Sequence, residues 1–286
     1  MTTRLPTVLF ESGLLSGPYS WSWVVARMDE ARFNTVLVDR SASSLFDAIL
    51  REQTYTAVRD RLRTTVNVDA LEAPVIVVGH SVGGMLALAH AHYLGSIVAG
   101  IVLVDPSPPD QFMPGVDTNY GHLRLNQAIL RRALQAALGK RPADEELIGV
   151  RQLPREIAAD VEMRMRRSKF WVDAYRESRA AGQHWVEAGF APLHSDIVTA
   201  VVSSNATRVE TSLQSRHVGD LLRRSIISRE FRSDDANHES IILNEQYSRL
   251  VNEAIEWVAE MHSVSSAKAA LRTFGGGEAR RVRFGG

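Results

Sequence analysis

The chain contains no cysteine, which excludes disulfides, thiolate metal sites and a cysteine nucleophile. Lysine is scarce: Lys140, Lys169 and Lys268 are the only ones, and every other basic side chain is arginine. Net charge is lacking as well, with 33 basic against 33 acidic residues. No long-range field therefore gathers nucleic acid or an anionic membrane. No stretch approaches the roughly 20 apolar residues of a membrane span, and the first residues, MTTRLPTVLFESG, lack an apolar run of the signal-peptide kind. The expectation is a soluble cytoplasmic protein without nucleic-acid or membrane partners. A G-x-G-x-x-G fingerprint is missing near the first apolar run, and H-E-x-x-H is missing throughout. His90 and His92 stand two apart on a predicted helix and do not share a face. No metal and no cofactor is expected.

What the sequence does have is a core. It holds 286 residues, 45% of them hydrophobic, enough for one large domain or two small ones. Short apolar runs alternate with helical patterns. Strands are predicted at 7–10, 34–38, 75–78, 101–104 and 197–202, and near Ile226-Ile227. Helices are predicted around 21–28, 44–67 and 85–93. The runs are apolar at nearly every position, the mark of a parallel sheet covered on both faces.

Asp105-Pro106-Ser107-Pro108-Pro109 cannot continue a central strand and marks an exit from the sheet. From there the pattern is helical to about His194. Leu125, Ile129, Ala133, Leu134 and Ala137 form one face; Ile157, Val161, Met165, Trp171 and Tyr175 suggest a further helix or two. An insertion this long should be a folded helical cap. The expected division is a core of 1–109 and 195–262, a cap of 110–194, and a flexible tail of 263–286.

The motif with the most chemical content is Gly79-His80-Ser81-Val82-Gly83, followed by Gly84. It fits G-x-S-x-G, and a β-branched run precedes it while a small-residue helix follows. Small neighbours allow a tight strand-to-helix turn that presents the Ser81 hydroxyl above the sheet, at a helix N-terminus that favours developing negative charge. His80, next to the serine in sequence, should point elsewhere and support the bend. His217 and His262 read as surface residues.

With these residues in place the sequence resembles the α/β-hydrolase superfamily, most closely its esterase-like bacterial branch. The resemblance covers nearly all of the chain outside the cap and tail. It is carried by Glu11-Ser12-Gly13-Leu14, by the GHSVGG bend, by Val102-Leu103-Val104-Asp105-Pro106 and by Asn237-His238-Glu239. It implies an α/β fold with a mostly parallel sheet flanked by helices, and a cap inserted after the strand ending at Asp105. It implies Ser81 as nucleophile and His238 as general base, since an imidazole titrates in the useful range. It places oxyanion donors on the backbone N–H groups of Val82 and Leu14, although Ser12 stands where the family often has histidine. The acid is either Asp105, at the end of the strand after the nucleophile helix, or Glu210, late after the strand at 197–202; Asp105 is preferred. Trp21, Trp171 and Trp185 are candidates for the substrate pocket, and Phe170, Met163 and Met165 are further apolar side chains of the cap.

The expected activity is a serine hydrolase acting on a small-molecule acyl substrate: an ester, thioester or lactone. The alternatives are non-hydrolytic chemistry on the same fold (acyl transfer, cyclisation or lyase work) and a non-catalytic ligand-binding protein.

Overall fold

The computed structural model describes residues 5–40, 71, 74–112, 119–180, 186–205 and 212–275. The predicted helix at 44–67 therefore lies outside the described residues, as do Trp185 and Glu210.

Among the described residues six strands form one sheet: β1 (Thr7–Glu11), β2 (Asn34–Leu37), β3 (Val75–His80), β4 (Val98–Val104), β5 (Val198–Ser203) and β6 (Ser228–Arg232). Their order is β2-β1-β3-β4-β5-β6, and every pairing is parallel. Strands β1, β3, β4 and β5 are buried at every position, as continuous apolar runs require. Their alternation splits the core in two. Phe10, Ile76, Val78, Val102 and Val202 face one side, with Val251, Ala254 and Val258 of the last helix. Leu9, Val77, Ile101, Leu103 and Val201 face the other, against Ala87, Leu88, Val218 and Leu221.

The helices that matter for the site are α1 (Gly83–Leu94), α2 (Asn119–Ala137), α3 (Arg155–Met165), α4 (Ser168–Ala180), α5 (Leu213–Arg223) and α6 (Arg249–Gly275). Helices α2, α3 and α4 belong to the segment between β4 and β5, and α2 packs against α4. No helix among the described residues is long and apolar enough to cross a membrane.

Four expectations change. The last strand is Ser228–Arg232 rather than Ile226-Ile227, and Ile226 is exposed. Among the described residues it is an edge strand paired only with β5, so Arg229, Glu230 and Arg232 replace the apolar run that betrays an inner strand. The last helix does not stop near residue 263 but continues to Gly275, because Ala267, Ala269, Ala270 and Leu271 are strong helix formers with no breaker between them. The face of α2 is rotated from its predicted one. Asn126, Ile129, Arg132, Ala133 and Ala136 are buried, whereas Leu134 and Ala137 are exposed. His217, expected at the surface, is buried on α5.

Candidate active site

The bend between β3 and α1 is made by close approach. A Cβ on Gly83 would lie 2.4 Å from the Ser12 carbonyl oxygen, and one on Gly79 would lie 2.5 Å from the Gly83 oxygen. Only glycine lets the helix start so near both the strand and the β1 loop. Ser81 is thereby held at φ 55°, a strained value for a residue with a Cβ. Leu15 (φ 60°) and Asp105 (φ 42°) are the other non-glycine residues of positive φ among the described residues. All three border one site, where strain of this kind tends to collect.

Three of the sequence-predicted side chains meet there. His238 Nδ1 donates to Asp105 Oδ2 at 2.6 Å, and His238 Nε2 lies 2.9 Å from Ser81 Oγ. With its Nδ1 proton on the carboxylate, a neutral imidazole presents a bare Nε2 to the serine hydroxyl. Asp105 is fully buried. Burial alone would raise its pKa, but the hydrogen bond and charge of His238, with two donors from Ser204, bring it down to about 2. Those donors are the Ser204 N–H, 3.1 Å from Oδ1, and its hydroxyl, 2.9 Å from Oδ2. Ser204, just after β5, thus supplies hydrogen bonds that hold Asp105, just after β4.

The loop after β1 lies against the bend. A Cβ on Gly13 would stand 3.2 Å from Ser81 Cβ, and Leu14 lines the space in front of Ser81. Arg40, just after β2, holds this loop from behind. Its Nη1 donates to Ser12 O at 2.6 Å and its Nη2 to Gly13 O at 2.7 Å. The Gly13 carbonyl and the Leu14 N–H share one planar trans peptide and point in opposite directions. Tying the oxygen to Arg40 therefore turns the Leu14 N–H away from Arg40. The guanidinium also pairs with Glu11 at 3.0 Å and with Glu177 of α4, while His90 Nε2 meets the other Glu11 oxygen at 2.7 Å. Burial would lower the Arg40 pKa, but the charges of Glu177 and Glu11 outweigh it and raise it. Neither Arg40 nor Glu177 is detectable as a site residue in sequence, because 137 positions separate them.

Other predicted residues land elsewhere. Trp21 is fully buried and donates its Nε1–H to Ser12 Oγ at 3.1 Å. It supports the loop from below and does not line the substrate space, because its ring is packed against Phe10. Trp171, Phe170 and Met165 do line a cavity of about 300 Å³ that also contains Ser81 and His238; Met163 is exposed. Ser107, read only as part of the proline-rich exit, places its Oγ 3.2 Å from Ser81 Oγ and donates its N–H to Ser81 O at 3.1 Å.

His80 supports the bend, as expected: its Nε2–H donates to the His238 carbonyl at 2.9 Å. Burial first, then the charge of His238, lowers its pKa from 6.5 to about 3. Burial and Arg224 lower that of His217 to about 4. Between pH 6.5 and 4 an unfolded chain protonates both rings while the folded chain does not, so stability falls as pH falls through that window. Below about pH 3.8 the lowered Asp105 extends the loss toward pH 2. A declining melting temperature from pH 6.5 to 4, with a shallower slope in His217→Gln, is the expected result; a flat profile would contradict it.

The alpha/beta hydrolase family model matches residues 8–254, and the chain belongs to that family. Comparison with curated proteins gives no match. Among solved structures, a point mutant of a putative epoxide hydrolase from Pseudomonas aeruginosa aligns with a TM-score of 0.65 at 14% identity, over 91% of this chain and 90% of its own. A bromoperoxidase from Bacillus anthracis gives 0.62 at 15% identity, over 90% and 92%. An esterase from Exiguobacterium antarcticum gives 0.60 at 14% identity, over 91% and 93%. At these identities the likeness is one of fold, and the differing activities named leave the reaction to be argued from this chain's own residues.

Proposed function

We propose that the chain is a serine hydrolase that cleaves an ester, thioester or lactone through an acyl-enzyme on Ser81. The observation that carries this reading is the continuous hydrogen-bonded line from Asp105 through His238 to Ser81, at 2.6 and 2.9 Å. As Ser81 Oγ attacks the acyl carbon, its proton passes to His238 Nε2. Asp105 stabilises the imidazolium without taking the proton. Negative charge on the acyl oxygen meets the N–H groups of Val82 and Leu14. Collapse breaks the bond to the leaving group, which takes the proton from His238. Water, deprotonated by the same ring, then releases the acid and restores Ser81. The helical segment over the cavity acts as the cap.

A fluorophosphonate probe is expected to label the folded protein, and Ser81→Ala to abolish both labelling and ester hydrolysis. Wild-type protein that resists the probe and hydrolyses no ester would overturn the reading. Product analysis then separates hydrolysis from acyl transfer, since both pass through the same labelled serine.

A further inference from the structure

Ser107 has no part in the chemistry above, yet its Oγ lies 3.2 Å from Ser81 Oγ. Backbone hydrogen bonds stitch its segment to the bend. The Ser81 N–H donates to Val104 O at 3.0 Å, and the Ser107 N–H donates back to Ser81 O at 3.1 Å. Pro106 and Pro108 flank it and fix two backbone torsions. Pro106 packs on the first turn of α1, where a Cβ on Gly84 would stand 3.1 Å from the proline Cβ. Ser107 is 8% exposed. It lines a space that also contains Ser81, Leu14, Val82 and His238.

The proton count fixes the direction of the hydrogen bond. His238 gives its Nδ1 proton to Asp105 and presents a bare Nε2, 2.9 Å from Ser81 Oγ. The one hydrogen of the Ser81 hydroxyl goes to that nitrogen. Ser107 is then the donor and Ser81 Oγ the acceptor. Of the four tetrahedral directions about Oγ, Cβ takes one, the hydrogen to His238 a second and Ser107 a third. One lone pair is left to attack.

Such a bond speeds only the steps in which it grows stronger. It already exists in the resting enzyme, so little is gained as Ser81 attacks. In the acyl-enzyme Oγ is an ester oxygen, which shares its lone pair with the carbonyl and accepts weakly. When water adds to the acyl carbon, with a proton passing to His238 Nε2, that sharing ends. As the tetrahedral intermediate collapses, the C–Oγ bond breaks, its electron pair returns to Oγ, and Oγ takes the proton from His238. Negative charge passes through Oγ in this step, and a hydrogen bond to a charged oxygen is shorter and stronger. A resting contact of 3.2 Å leaves room to shorten.

We infer that Ser107 is a further catalytic residue, whose hydroxyl donates to Ser81 Oγ as the leaving oxygen and so speeds release of the acid from the acyl-enzyme. It keeps its own proton throughout. This inference rests on the serine-hydrolase reading and adds a residue to the second half of that reaction.

The test is stopped-flow hydrolysis of p-nitrophenyl acetate, which separates the burst of p-nitrophenolate from the turnover that follows. In Ser107→Ala the deacylation rate constant is expected to fall about ten-fold or more, and the acylation rate constant by less than about three-fold. Intact-mass measurement should then find the acetylated chain accumulating at steady state. Ser107→Thr keeps the hydroxyl, at a position before proline where a β-branched residue is at home, and should restore deacylation. Ser107→Cys keeps the volume with a weaker donor; it should show the same split and carries the test if the alanine variant melts early. Unchanged deacylation in the alanine and cysteine variants, equal loss in both rate constants, or no recovery in a folded threonine variant overturns the inference. Wild-type protein with neither fluorophosphonate labelling nor a burst removes the serine-hydrolase reading and this inference with it. A labelled wild type beside an unaffected Ser107→Ala removes this inference alone.

Discussion

Replacing Asp105 with asparagine is expected to lower kcat for ester hydrolysis by about 10⁴-fold while the fold persists. The carboxylate now fixes the His238 tautomer by accepting its Nδ1–H at 2.6 Å. An amide NH₂ in its place donates to Nδ1, which pushes the ring proton onto Nε2. The nitrogen facing Ser81 can then no longer accept the hydroxyl proton. The backbone should tolerate the change, because asparagine is among the few residues that adopt φ near the 42° of this position. The Ser204 hydroxyl can rotate to serve either group. With its pKa lowered to about 2, Asp105 is ionised at any working pH and keeps this tautomer in the wild type. Steady-state kinetics with a p-nitrophenyl ester, beside circular dichroism, measures it. A drop of only a few-fold in a folded variant would remove Asp105 from the mechanism and return attention to Glu210.

Arg40→Met should damage both stability and turnover. Removing one member of a buried ion pair costs about 3–5 kcal/mol, because its partners are left charged and dry. Here Glu11 and Glu177 would lose the guanidinium together. The carbonyls of Ser12 and Gly13 would lose their anchor as well, freeing the Leu14 peptide to rotate. If Leu14 N–H is one of two oxyanion donors, misplacing it lowers kcat by about 10²–10³-fold. The effect should fall on kcat more than on KM, because Arg40 lies behind the loop and its target is the transition state. Arg40→Lys should not rescue it, since one ammonium cannot reproduce a fork that reaches two carboxylates and two carbonyls. A variant that melts lower but keeps wild-type kcat would mark Arg40 as structural only.

The parts legible in the sequence share a physical basis. Inner strands such as Val75-Ile76-Val77-Val78 carry their burial on both faces, so local composition reveals them. Ser81 is legible because a tight bend demands glycines around it, and His238 because it follows the last strand. Other parts are written in no local pattern. Strand β6 is charged because it is an edge. Asp105 could be ranked against Glu210 but not fixed, since Ser204, 99 positions away, supplies the donors that complete its setting.

The position of Asp105 just after β4 also bears on how the proposed site is assembled. Ser81 and Asp105 stand at the ends of adjacent strands, within one strand–helix–strand unit that can form from a short stretch of chain. His238 is 157 positions from its serine and 133 from its carboxylate. During synthesis from the N-terminus, nucleophile and acid can be in place long before the imidazole leaves the ribosome. On the proposed mechanism a half-made chain is therefore inert toward acyl groups, and reactivity switches on only when the C-terminal portion docks.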